Sequence, residues 1–144
     1  MNLAAAPGLA ASWDPQVKCP DQVDPAIRAA IWNEALVADG ASWAPGMRRV
    51  PPFPTWNWNR SFAERIQAPT LLISGELDQV VPPQVGRDLY TDLRTDNKAF
   101  VDLPCTSHYA VWETRHLSLF QASLKWLQDG SVNDAHAGLT RIED

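Results

Sequence analysis

Apolar residues in the second half of the chain fall into two short runs. Residues 70–74 form one run, between Pro69 and Gly75, and residues 99–103 form the other. Short apolar runs with turn residues beside them are typical of parallel strands that are covered on both faces. The pattern therefore predicts two buried strands.

A helical stripe follows the first predicted strand. Pro82 and Pro83 suit the first turn of a helix, where proline's missing N–H costs no hydrogen bond. Val85, Leu89 and Leu93 then recur at every fourth position. This spacing predicts a helix with one packed face.

A second stripe begins at about Thr114 and stops at Gly130. It predicts a helix with four apolar side chains on one face, namely Leu117, Phe120, Leu124 and Leu127. The order strand, helix, strand, helix predicts right-handed parallel crossovers in an α/β layer fold. We expect a single domain at residues 1–130, followed by a polar tail at residues 131–144.

The first half of the chain has a different pattern. Asp24 and Pro25 predict the start of a helix that ends near Gly40. Residues 43–59 intersperse prolines with tryptophans, which excludes a regular helix or strand because proline removes backbone donors. We interpret residues 12–62 as a helical and irregular lid-like segment.

Five of the seven tryptophans precede residue 60, and they are Trp13, Trp32, Trp43, Trp56 and Trp58. One interpretation is an aromatic wall for an apolar substrate. The plainer interpretation, which we favour, is that these large rings supply core area.

Composition and charge exclude several functional classes. The net charge is −5 and the 12 lysines and arginines are scattered, which disfavours a nucleic-acid partner. The sequence has no uninterrupted apolar run of the roughly 18 residues that a membrane span needs. Residues 1–11 lack the basic start of a signal peptide and contain Pro7.

Cys19 and Cys105 are the two cysteines, and they have no metal-type spacing. A structural disulfide is one possibility, but we favour two reduced thiols and therefore expect a cytoplasmic protein. Neither a metal nor another cofactor is expected, because no cluster of His, Cys, Asp or Glu has ligand spacing.

Two polar side chains stand where consecutive predicted strands end. Asp78 follows the first strand and His108 follows the second. Ligands bind parallel sheets at the carboxyl ends of the strands, so both residues belong to the functional edge. There Asp78 would orient the imidazole, and His108 would act as general base toward a hydroxyl or water. His116 and His136 lack this context, and we expect them at the surface.

Several short motifs surround this pair. They are Ile-Gln-Ala-Pro-Thr-Leu-Leu-Ile at 66–73, Gly-Glu-Leu-Asp at 75–78, Val-Pro-Pro at 81–83 and Ser-His at 107–108. Together they resemble the C-terminal part of the α/β-hydrolase fold family. The resemblance implies that Asp78 is the triad acid and His108 the triad base of a hydrolase. Its substrate would be an ester, or a related bond, of a small apolar molecule. Ser107 departs from the many members that have glycine before the histidine.

The nucleophile is the part of the triad that the chain does not obviously supply. Members of this family place it on a Gly-x-Ser-x-Gly elbow between a strand and a helix, ahead of the acid and the histidine. The nearest match is Ser42, in Gly-Ala-Ser-Trp-Ala at 40–44, but a predicted helix precedes it and Pro45 follows. Three further candidates are weaker: Ser12 lacks flanking glycines, and Ser107 and Cys105 are too near His108 along the chain to face its ring easily.

Residues 3–8 resemble the end of the strand that follows the elbow helix in this family. The chain is then expected to start downstream of the elbow and of the oxyanion-hole loop. It would be a partial α/β-hydrolase-like layer structure of about three parallel strands, complete only with a separate N-terminal portion. Residues 2–6 would form an exposed apolar sheet edge that pairs with such a portion or with a second copy.

Two other functional hypotheses stay open. The chain could be a non-catalytic module whose tryptophan- and proline-rich segment binds a partner or an apolar ligand. It could also be an inactive hydrolase fragment with no independent role.

Overall fold

The computed structural model describes residues 13–35 and 59–142 of the chain. Within these ranges, three parallel strands form one sheet in the order β1–β2–β3. The strands are β1 (Thr70–Gly75), β2 (Lys98–Leu103) and β3 (Gly138–Arg141). The α/β layer fold predicted from the sequence is confirmed, because helices flank this parallel sheet.

Four α-helices lie in the described ranges, and they are α1 (Pro25–Ala30), α2 (Arg60–Ala63), α3 (Pro83–Asp92) and α4 (His116–Asp129). A π-helical turn at Ile31–Ala35 continues α1, and single 3₁₀ turns occur at Asp14–Gln16 and Ala110–Trp112. Asp24 caps α1 as predicted, since its carboxylate accepts from the N–H of Ala26 at 2.7 Å.

The central strand β2 is apolar on both faces. On one face, three of its side chains share a core cluster with Ala122 and Trp126 of α4, namely Ala99, Val101 and Leu103. Phe100 is also buried. A Cβ on Gly86 of α3 would lie 2.8 Å from the ring of Phe100. A helix therefore covers each face of this strand, as parallel pairing usually requires.

The boundaries of α3 follow from the residues at its two ends. It begins at Pro83, directly after Pro82, as the sequence predicts. At the other end, the ammonium group of Lys98 donates to the carbonyls of Tyr90 and Leu93 at 2.7 and 2.6 Å. A cation here satisfies carbonyls that the last helical turn leaves unpaired. The first residue of β2 thus stabilises the end of the preceding helix.

The buried face of α4 is not the predicted one. Gly130 ends the helix with a left-handed φ of 65°, as expected, but the buried residues are Ala122 and Trp126. The predicted face is exposed instead, and its members are Leu117, Phe120, Leu124 and Leu127. The small side chain of Ala122 permits close approach to the sheet, and Trp126 covers more area than leucine would. For the stripe predicted after the first strand the outcome is divided, because Val85 of α3 is exposed and Leu93, directly after the helix, is buried.

The interpretation of residues 131–144 as a polar tail is wrong for Gly138–Arg141, which form β3. This strand pairs with β2 in parallel, from Ala99 opposite Gly138 to Asp102 opposite Arg141. Arg141 also forms an ion pair with Glu76, with Nη2 and Oε1 3.1 Å apart. Four residues with little apolar periodicity give almost no strand signal, so the pattern could not predict it.

Cys19 and Cys105 form a disulfide, so the expectation of two reduced thiols is wrong. The bond joins the segment before α1 to the loop after β2, and the two Cα atoms are 5.7 Å apart. Two cysteines separated by 86 positions carry no local sign of pairing, because only the fold brings them together.

Some predictions fall on residues outside the described ranges. They are the strand at residues 2–6, the end of the first helix near Gly40 and the irregular segment up to residue 58.

Candidate active site

The acid candidate reaches the site through a turn that only glycine permits. β1 ends at Gly75, and the N–H of Leu77 donates to the carbonyl of Thr106 at 2.8 Å. A Cβ on Gly75 would lie 2.5 Å from that same carbonyl oxygen. The loops after β1 and β2 can lie this close because position 75 has no side chain.

Asp78 and His108 meet at this edge of the sheet. Oδ2 of Asp78 lies 3.0 Å from Nδ1 of His108. The other oxygen, Oδ1, accepts from the backbone N–H groups of Val80 and Val81, both at 2.8 Å. The loop of Asp78 therefore fixes its carboxylate, whose side chain is 11% exposed, whereas that of His108 is 40% exposed.

The hydrogen bond determines which nitrogen of His108 can act as a base. An ionised carboxylate only accepts hydrogen bonds, so the neutral ring carries its proton on Nδ1 and leaves Nε2 unprotonated. Among the residues that the structure describes, Nε2 has no hydrogen-bond partner. The basic nitrogen belongs to the more exposed member of the pair, where a reacting group can approach it.

A buried carboxylate supports the loop that carries His108. Glu113 is buried, and its oxygens accept from four donors. These are the N–H of Ser107 at 2.7 Å, its hydroxyl, Nε1 of Trp13 at 2.9 Å and Nε2 of Gln22 at 3.1 Å. Several donors are what a buried carboxylate needs to offset its lost hydration. The hydroxyl of Ser107 has a structural partner here, at the position where many hydrolases have glycine.

No pattern in the sequence marks Glu113 as part of the site. Its partners Trp13 and Gln22 are 100 and 91 positions away along the chain. A single acidic residue before a helix has many ordinary interpretations, so only the fold shows this role.

Aromatic rings pack beside His108. Trp13 is buried, and its ring centroid lies 5.4 to 5.8 Å from those of Trp32, Tyr109 and Trp112. Tyr109 stacks on Trp112 and meets the ring of His108 edge-on at 5.6 Å. Trp13 thus supplies core area, as the plainer interpretation predicts. Trp43, Trp56 and Trp58 lie outside the described residues.

The four candidate nucleophiles from the sequence differ in what the structure describes of them. Ser107 donates its hydroxyl to Glu113, and Cys105 is bonded to Cys19, so both groups are already engaged. Ser12 and Ser42 lie outside the described residues.

The remaining histidines stand apart from the pair. Nδ1 of His116 lies 2.7 Å from the carbonyl oxygen of Glu113, and Nδ1 of His136 lies 3.1 Å from that of Gly130. His136 is exposed, as expected, whereas His116 is half-buried. In the described part of the chain, no group of three or more His, Cys, Asp or Glu residues is arranged to hold a metal ion. Nor does any helix of that part have the length and apolarity needed to cross a membrane.

Comparison with known protein families identifies the kind of chain that carries this site. A family model described as PETase, PET hydrolase-like, matches residues 26–136 of the 144. The chain belongs to the PET hydrolase-like family. No curated protein and no solved structure matches it. PET hydrolase-like proteins are hydrolases of the α/β-hydrolase type, so the resemblance drawn from the motifs around Asp78 and His108 is confirmed at the level of family and fold.

The match to the PET hydrolase-like family covers the site only in part. Asp78, His108 and Glu113 lie within residues 26–136, whereas Trp13 and Gln22 precede them. The segment that packs against the histidine loop from the N-terminal side therefore lies outside the matched range.

Proposed function

We propose that this chain carries the acid and the base of a site that hydrolyses an ester, or a related bond, of a small apolar substrate. The observation that supports the proposal is the 3.0 Å contact between Asp78 and His108 at the carboxyl edge of adjacent parallel strands. Membership of a hydrolase family supplies the reaction type.

In the proposed mechanism, His108 transfers the proton and Asp78 stabilises the charged ring. Nε2 of His108 takes the proton of a nucleophilic hydroxyl as that oxygen attacks the substrate carbonyl. Asp78 stabilises the imidazolium that results. Nε2 then gives the proton to the departing alcohol oxygen, and a water molecule repeats the two steps on the covalent intermediate. The nucleophile comes from outside the described residues, on a separate N-terminal portion with a Gly-x-Ser-x-Gly elbow.

The surroundings of His108 favour an apolar substrate. Tyr109 meets the ring of His108 edge-on, Trp112 stacks on Tyr109, and both are only partly buried. An aromatic surface next to the base would hold an apolar acyl or alcohol group by area burial, while the carbonyl reacts.

The proposed location follows from the disulfide. The cytoplasmic expectation depended on reduced thiols, whereas Cys19 and Cys105 are bonded. Structural disulfides persist in oxidising compartments, so we propose that the protein works in one.

Hydrolysis of p-nitrophenyl butyrate tests the proposed division of labour. The chain alone should give no burst of p-nitrophenol. A polypeptide that joins it to an elbow-bearing N-terminal portion of a PET hydrolase-like protein should give a burst, because only then do nucleophile and base meet. A burst from the chain alone that is lost in Ser42→Ala would contradict the proposal of a separate portion and would make Ser42 the nucleophile.

A further inference from the structure

Gln16 contacts the backbone beside both members of the pair. Its side-chain oxygen, Oε1, accepts from the N–H of Gln79 at 3.0 Å and from the N–H of His108 at 3.3 Å. Gln79 directly follows Asp78. One buried acceptor therefore bridges the loop of Asp78 and the loop of His108. Gln79 and His108 are 63 and 92 residues away from Gln16 in the sequence.

The turn that presents Gln16 is anchored independently of the pair. The backbone carbonyl of Gln16 accepts from Nε2 of Gln22 at 3.1 Å. The side-chain oxygen of Gln22 accepts from the N–H groups of Lys18 and Cys19 at 2.8 and 3.2 Å. Cys19 is in turn bonded to Cys105. Gln16 is thus a fixed point to which both loops are attached.

The geometry of the pair depends on the distance between these two loops. Oδ1 of Asp78 is held by Val80 and Val81, within its own loop, and does not fix the distance to His108. Glu113 holds Ser107 within the other loop. Gln16 differs from both, because a single oxygen accepts from the two loops at once. A displacement of either loop by 1 Å would lengthen the contact between carboxylate and imidazole beyond hydrogen-bond range.

We propose that Gln16 is a positioning residue that, together with the backbone hydrogen bond from Leu77 to Thr106, sets the distance between Asp78 and His108. This role deepens the proposed hydrolytic function. The effect of Gln16 on the reaction rate rests on that function, whereas its effect on the distance between Asp78 and His108 does not. Gln16 precedes the range 26–136 that matches the PET hydrolase-like family, so the match does not assign it a role.

The test replaces Gln16 by methionine, which has a similar length and no acceptor oxygen. The readout is the proton resonance of His108 Nδ1 in NMR spectra, which reports the hydrogen bond to Asp78 without any substrate. The low-field signal should be present in the unchanged chain and lost or broadened in Gln16→Met. Gln121→Met, at an exposed position of α4, is the matched control and should keep the signal. Gln16→Glu retains an acceptor and should restore it.

A second readout separates positioning from plain stability. In the elbow-bearing polypeptide, Gln16→Met should lower kcat for p-nitrophenyl butyrate about 10- to 100-fold with little change in KM, since it misplaces the base rather than the binding surface. If Gln16→Met does not fold, Gln16→Asn supplies the test, because its shorter side chain keeps the amide but cannot reach both N–H groups.

The inference is overturned if the folded variant keeps the Nδ1 proton signal, even where its melting temperature falls, because Gln16 is then only structural. Absence of hydrolysis in every polypeptide, with the signal still dependent on Gln16, would instead refute the proposed function and leave the positioning role intact.

Discussion

At the scale of single residues, the site depends on side chains that perform no chemistry. Gly75 lets the loop after β2 lie within 2.5 Å of where its Cβ would be, and Glu113 accepts hydrogen bonds from four donors around the histidine loop. Both residues act on Asp78 and His108 through the backbone. The contact between Asp78 and His108 therefore depends on a larger set of supporting residues.

Replacing Glu113 by glutamine should destabilise the protein by about 2–4 kcal/mol. The amide keeps one acceptor oxygen but turns an NH₂ group toward buried donors, which then lack partners. Urea unfolding followed by tryptophan fluorescence measures the loss. Glu34→Gln, at an exposed position, is the control and should stay within about 0.5 kcal/mol of the unchanged chain. Equal stability of the two variants would show that the carboxylate of Glu113 is dispensable.

Sequence reasoning succeeds at this scale where the residue follows a strong local pattern. Asp78 and His108 could be placed together because each lies in the loop after a predicted strand, and parallel strands end at one edge. Gln16, Glu113 and the partner of Cys105 could not, since each depends on contacts across 60 to 100 positions. No local pattern encodes such contacts.

At the scale of elements, strands and helix ends follow from local sequence, but the buried face of a helix does not. α4 carries two apolar stripes, and the sequence favours the more hydrophobic one. The sheet instead packs against the stripe with Ala122 and Trp126. The short strand β3 was missed for a related reason, since its pairing with β2 depends on a neighbour and not on its own periodicity.

Two alanine substitutions on α4 test which stripe stabilises the fold. Changing Trp126, which is 8% exposed, to alanine should lower the free energy of unfolding by about 3–5 kcal/mol. Changing its neighbour Leu127, which is 82% exposed, to alanine should lower the free energy of unfolding by less than about 0.5 kcal/mol. Thermal and urea unfolding of both variants check this difference. A larger loss of stability in Leu127→Ala than in Trp126→Ala would show that the face predicted from the sequence is the packed one.

The disulfide joins the segment before α1 to the loop after β2, and a backbone hydrogen bond from the N–H of Thr114 to the carbonyl of Gln22 links the same two stretches at 2.9 Å. Its removal in a Cys19→Ala, Cys105→Ala double variant should lower the free energy of unfolding by about 4 kcal/mol, because a loop of this length is then unconstrained in the unfolded state. Urea titration under non-reducing conditions gives the value. The chain treated with a reductant should match the variant, and unchanged stability in both would refute a structural role for the bond.

At the scale of the whole molecule, the described residues form a three-stranded parallel sheet with flanking helices. The PET hydrolase-like match covers residues 26–136, and Asp78 meets His108 at one edge of the sheet. The nucleophile is the component that the described residues do not supply. In the proposed function, His108, paired with Asp78, is therefore the base for a serine outside the described residues.

Hydrolysis of p-nitrophenyl butyrate by the elbow-bearing polypeptide tests this claim most directly, with His108→Ala compared against His136→Ala. The two variants remove the same ring, but only His108 contacts Asp78. The account predicts that kcat/KM falls about 10⁴-fold or more in His108→Ala and changes less than about threefold in His136→Ala. Activity that survives in His108→Ala would contradict it.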